Sequence, residues 1–164
     1  MNLFIFRRDF RLDDNLGLIK ALDIDKVLPI FIFTPEQIVN NKFKSDNSLQ
    51  FLIESLSDLD KQLSKYSSKL HIFFGDNIEV LNKINLQHKI DTIYCNQDFT
   101  PYAKKRDQAI SKKFKLELVE DYLLHKMDTL LKKDRTIYKV FTPFYRFSKT
   151  FQVDNPLNIT FKKD

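Results

Sequence analysis

The chain of 164 residues is long enough to bury a core without metals or cross-links, and its 43% hydrophobic and 30% charged content are those of an ordinary globular domain. One cysteine excludes an intrachain disulfide framework, and two glycines exclude both a G-x-G-x-x-G dinucleotide loop and a P-loop. A net charge of +5, carried by scattered lysines, reads as a solvated surface more than as a nucleic-acid patch.

"LFIF" (3–6) opens the chain as a short buried strand and runs straight into "RRDFRLDDN" (7–15), a knot of arginines and aspartates, with Asn15 placed to start the first helix. "VLPIFIF" (27–33), "LHIFF" (70–74), "TIYC" (92–95) and "LELV" (116–119) read as further strands. Most are apolar throughout, the pattern of strands covered on both faces. Between them lie helical segments. In "SDNSLQFLIESLSDLDKQLSKY" (45–66), Leu49, Leu52, Ile53, Leu56, Leu59 and Leu63 fall at three- and four-residue steps, with Ser45 or Asp46 as N-cap. A second helix follows Asp76, with Ile78, Leu81 and Ile84 inward, and a third spans about Tyr102 to Phe114. The last forty residues show no clean period; Thr142-Pro143 should halt whatever precedes it, giving a mostly irregular tail.

Strands alternating with helices predict an α/β fold: a Rossmann-like, doubly wound, five-stranded parallel sheet with helices on both faces. Residues 1–121 form the core in this reading, and 122–164 a tail packing on the domain. No stretch approaches a membrane span, and the N-terminus lacks the basic and small-residue features of a signal peptide. With Cys95 as a reduced, buried thiol, the expectation is an intracellular, soluble protein of the cytoplasm or nucleus.

Ligands of such sheets sit at the carboxyl ends of the strands. There this sequence places the Arg7–Asp14 knot, Phe33-Thr34-Pro35, Gly75-Asp76 and Asn96-Gln97-Asp98. Helix capping accounts for any one of these better than a ligand does; taken together they favour a binding crevice. There is no G-x-S-x-G elbow, and His71, His88 and His125 are scattered without metal-ligand spacing, so no catalytic constellation is visible.

"FIFRRDFRLDDNLGLIKAL" resembles the opening of the DNA photolyase and cryptochrome family, through Arg7, Arg8, Asp9, Arg11, Leu12, Asp14 and Asn15, with Phe10 in place of the usual leucine. "LPIFIF", "NSLQFLIESLSDLDKQL", "SKLHIFFGD", "NQDFTPYAKKRD" and "YKVFTPFYRFSK" resemble further family motifs in the same order. The resemblance implies the N-terminal α/β domain, which holds an antenna chromophore, a deazaflavin or methenyltetrahydrofolate. The helical half that holds FAD and the pyrimidine dimer has no counterpart here. It therefore implies a subunit of a split photolyase, working with a separate FAD-binding helical chain through the apolar "VFTPFYRF" and meeting DNA only indirectly. Not catalytic alone, it would support light-driven repair of pyrimidine dimers. A non-photochemical module, binding a nucleotide-like ligand or another protein, is the alternative.

By the resemblance, Arg8 and Asp9 position the site, and Phe33, Thr34, Asn96, Asp98 and Thr100 line the antenna pocket. Lys44 and Phe51 complete the set, though a solvated lysine and a core phenylalanine explain them equally well. Thr100 stands where folate-binding members commonly carry an acid; it offers a hydroxyl but no charge-assisted bond, which weighs against folate, while Asp98 matches deazaflavin-type members. Arg135 and Thr136 occupy a turn where the family often has glycine.

Overall fold

The computed structural model describes residues 1–39 and 41–159. Five strands, β1 (Asn2–Phe6), β2 (Val27–Phe33), β3 (His71–Phe74), β4 (Thr92–Asn96) and β5 (Leu116–Val119), form one parallel sheet in the order β3-β2-β1-β4-β5. Helices α1 (Leu16–Ile24), α2 (Pro35–Ile38), α3 (Asp46–Ser64), α4 (Asn77–Gln87), α5 (Pro101–Ser111) and α6 (Phe141–Ser148) complete the described elements. The expected doubly wound α/β architecture is present.

The alternation of side chains along each strand divides the core in two. Leu3, Ile5, Ile30, Ile32, Ile93 and Cys95 face one side, where Val80, Leu81 and Ile84 of α4 and Ile110 of α5 cover them. Phe4, Phe6, Phe31 and Tyr94 face the other, under Leu18 and Ala21 of α1 and Leu56, Leu59 and Leu63 of α3. Pro29 is tolerated within β2 because β3 pairs only with Ile30–Phe33, leaving that side of Pro29 without a strand to bond. Asn15, Ser45 and Asp76 cap α1, α3 and α4, each side chain accepting from a backbone N–H of the first turn.

Three expectations change. β3 is an edge strand covered on one face only, so Ile72 and Phe74 lie exposed. Ile53 falls outside the buried stripe of α3, which keeps Leu56, Leu59 and Leu63 fully inward. The tail is not wholly irregular, because Thr142 and Pro143 lie in the first turn of α6, where a proline's missing N–H has no intrahelical acceptor to lose. No helix among the described residues is long and apolar enough to cross a membrane.

Candidate functional site

The charged knot after β1 folds into a buried polar frame. Asp9 Oδ1 accepts from the backbone N–H groups of Arg7 (2.9 Å) and Arg8 (3.2 Å), while Oδ2 accepts from Asn96 Nδ2 at the end of β4 (2.5 Å). Asn96 Nδ2 also donates to Asn15 Oδ1 (2.8 Å) and to Asp121 (3.0 Å), and Asn96 Oδ1 accepts from the Gly17 N–H (3.0 Å). Asp121 in turn receives Arg11 Nη2 (2.7 Å) and the Leu16 N–H (3.1 Å). The first turn of α1 is thus tied to the carboxyl ends of three strands. Burial pushes the Asp9 carboxyl above its ordinary range against the bonds it receives, and the nearby Asp121 adds to the rise.

A second buried cluster joins β1 to α5. Arg7 grips Asp107 with both terminal nitrogens (3.1 and 2.8 Å), and Arg106 Nε donates to the same carboxylate (3.0 Å). Cys95 lies beside this cluster, its thiol raised by burial to about 11, a chemically quiet state.

In front of these two frames opens a cavity of about 240 Å³ at the carboxyl ends of β1 and β2. Phe6 and Phe31 line its base; Arg8, Thr34, Gln37, Asn77, Asp98, Tyr102 and Arg106 line its walls. It continues past Asn77, Tyr102 and Arg106 into a groove of about 290 Å³ between α4 and α5, bordered by Lys105. Two buried polar groups of these walls are under-satisfied: Nη2 of Arg106 has no hydrogen-bond partner, and the hydroxyl of Thr34, a residue only 4% exposed, has none beyond the Gln37 N–H of its capping box, which leaves its own O–H without an acceptor. Such groups are costly to leave unsatisfied and mark a place where a bound molecule would supply the partner. The Arg106 guanidinium also stands 5.8 Å from the Tyr102 ring centroid.

Arg8 reaches across the mouth to Asp98 at 3.6 Å. Burial opposes the charged form of Asp98, but the Thr100 N–H and hydroxyl, with Arg8 and Arg106, outweigh it and hold the carboxylate below its usual range. On the far side of Arg8, a shallow depression is lined by Asp98, Phe99, Thr100 and Tyr122, whose hydroxyl is raised by burial and by Asp9.

The structure therefore brings Arg8, Thr34 and Asp98 onto one cavity, and Asp9 and Asn96 into the frame behind it. Phe33 packs edge-on against Phe31 at 4.8 Å. Thr100 is the N-cap of α5, accepting from the Ala103 N–H at 3.3 Å. Lys44 lies exposed between α2 and α3, outside the lining of this cavity, and Phe51 is 72% exposed, not a core residue, in a shallow groove beside Arg8 and Phe10. Asp107, Gln37, Asn77, Tyr102 and the site role of Arg106 were not legible in advance, and Arg7 was read only as part of the strand-end knot. One signal was present: Asp107 shares a helical face with Ala103 and Ile110, and a carboxylate on a buried face requires a buried partner. Among the described residues no cluster of His, Cys, Asp and Glu could hold a metal ion.

A sequence model of the DNA photolyase family matches residues 2–159. The chain belongs to that family. It is 36% identical over 120 residues to Cryptochrome-1 of Anopheles gambiae, covering 68% of this chain and 22% of that protein. It is 29% identical over 150 residues to a deoxyribodipyrimidine photo-lyase of Synechococcus, covering 88% of this chain and 31% of that protein. The photolyase of Sulfolobus tokodaii superposes with a TM-score of 0.83 at 38% identity, over 97% of this chain and 37% of that one. That structure holds two FAD molecules and is described as implying a novel light-harvesting cofactor. The chain thus spans about a third or less of the length of these photolyase-family relatives.

Proposed function

We propose that this photolyase-family α/β domain binds a flavin-type antenna chromophore, a flavin or a deazaflavin, in the cavity bounded by Thr34 and Arg106. The observation that carries this reading is the pair of under-satisfied buried polar groups on its walls, Arg106 Nη2 and the Thr34 O–H. A fused, polar-edged ring offers a carbonyl to the Arg106 N–H and a donor or acceptor to the Thr34 hydroxyl, with Tyr102 for one face and Ile5 and Ile32, which point to the α4–α5 side of the sheet, beneath it. The groove bordered by Lys105 has room for the side chain such rings carry. Folate fits less well, because the Thr100 hydroxyl is already engaged as the helix cap.

When bound, the ring supplies absorption of light; the protein's part is to hold and shield it. Arg7 and Asp107 fix α5 against β1 and so set the position of Arg106. Arg8 and Asp98 close the mouth and limit water. The catalytic step belongs, in this proposal, to an FAD-bearing helical partner supplied separately, which repairs the pyrimidine dimer and carries the DNA contacts. The exposed apolar residues of α6, Phe141 and Tyr145, with Val140 before it, are the surface we assign to that partner.

The test is an absorption spectrum of the purified chain before and after incubation with FAD, a deazaflavin and methenyltetrahydrofolate, followed by removal of free ligand. Retention of a blue or near-ultraviolet band with a flavin-type ring supports the reading. Retention of folate alone sinks the chromophore assignment. No band, with a melting temperature raised by AMP, favours the non-photochemical module.

A further inference from the structure

The free edge of the sheet at β3 is built to accept a strand. The Gly75 N–H donates to the Phe33 carbonyl at 3.0 Å. Amide groups alternate sides along a strand, so those of His71 and Phe73 also face β2, while those of Ile72 and Phe74 point away from the sheet. The same two residues expose their side chains, Ile72 by 52% and Phe74 by 62%. Solvent edges are normally guarded by charge, proline or a bulge. His71–Phe74 carries none of the charged or proline guards, whereas β5, at the opposite edge, carries Glu117.

We propose that β3 pairs antiparallel with β3 of a second copy of this chain, about a two-fold axis through Phe73, so that one sheet runs across both molecules. In this register Ile72 opposes Phe74 of the second copy and the reverse, and each opposed pair exchanges both of its outward N–H···O bonds. Phe73 faces its own copy across the axis. Each outward pair joins a β-branched to an aromatic side chain, a favourable cross-strand combination. Charge selects the same arrangement: exposed Lys69 precedes the strand and exposed Asp76 follows it. Antiparallel pairing brings the Lys69 end of one copy to the Asp76 end of the other, while parallel pairing sets like against like. The ladder stops at Leu70, whose N–H is already taken by Asp60 (2.7 Å), so the contact is short and the dimer reversible. The proposal stands apart from the chromophore reading, since none of Ile72, Phe73 and Phe74 lines the cavity or its groove.

Sedimentation equilibrium of the 164-residue chain, from low micromolar to sub-millimolar concentration, reads the association directly. A reversible dimer is expected. Ile72→Lys and Phe74→Pro should each weaken it about ten-fold or more, with urea midpoints near that of the parent, since both act on the outward edge. Phe73→Cys should give an oxidised dimer that Ile72→Cys and Phe74→Cys do not, because only position 73 meets itself at the axis. A monomer throughout overturns the proposal, and so does a dimer that survives both edge substitutions.

Discussion

Single atoms decide the behaviour of the candidate site. The Thr34 hydroxyl caps the one-turn helix α2 but has no acceptor for its own O–H, so Thr34→Val should cost about 0.5 kcal/mol in urea unfolding while weakening the flavin-type ligand about five-fold, the worth of one neutral hydrogen bond. Equal loss of stability and affinity would show the hydroxyl to be structural. Gly17 presents the opposite case. In most helices alanine improves on glycine, but a Cβ here would stand 2.3 Å from Asn96 Oδ1 and 3.0 Å from Phe4 Cε2. Gly17→Ala should therefore cost about 2 kcal/mol in urea unfolding, with the sign reversed from the helical norm. At the cavity mouth, Asp98 is held below its ordinary 3.8. A depressed acid contributes stability above that ordinary value and loses it as the pH falls through the folded one. The advantage of the parent over Asp98→Asn should persist at neutral pH and shrink in urea titrations taken from about pH 5 down to about pH 3. An advantage independent of pH would remove the charge from the account.

Elements are positioned by pairs far apart in the chain, and α5 shows how. The Arg7–Asp107 fork is nearly sealed from solvent, with side-chain exposures of 8% and 5%. Removing Arg7 leaves the buried Asp107 carboxylate only the single bond from Arg106 Nε, so Arg7→Met should destabilise by about 3 kcal/mol, and Arg7→Met with Asp107→Leu by less. A double-mutant cycle in urea measures the difference; additive losses would mean that the pair is not coupled. The sequence could not disclose this fork, because nothing local joins residue 7 to residue 107. What it did disclose follows the same logic. Central strands such as β1 and β4 are buried throughout and mostly apolar because helices cover both faces, and the caps Asn15, Ser45 and Asp76 mark helix starts by their own chemistry. Arg8, Thr34 and Asp98 were legible as strand-end residues of a parallel sheet. Tyr102, Asn77 and Gln37 were not, since which helix face borders a cavity is settled by packing. α6 was missed although Phe141, Phe144 and Tyr145 keep helical spacing, because Pro143 reads as a breaker anywhere but in a first turn.

At the scale of the whole molecule, the open question is where the folded unit ends. The sequence reading divides the chain after residue 121 and treats the rest as a tail. Yet Asp14, in a left-handed conformation (φ 53°), donates its N–H to the Leu157 carbonyl (2.8 Å) and accepts the Leu157 N–H on Oδ1 (2.9 Å). Two residues on, Ile159 packs against the core formed by Phe4, Leu18 and Leu59. This reciprocal clasp returns the tail to the loop that frames the cavity, after it has left α6 with Phe141 and Tyr145 exposed. Two hydrogen bonds near the surface and one partly buried isoleucine are together worth about 2 kcal/mol. A chain ending at Asn155 should therefore unfold at lower urea by about that amount, and the amides of Asp14 and Leu16 should exchange faster with deuterium than those of Leu59 and Leu81. An unchanged midpoint would make the residues after Asn155 dispensable to the fold. A loss of the expected size would instead make the last described turn part of the wall that keeps Arg11, Asp121 and Asn15 in register, and through them the cavity that β1 opens.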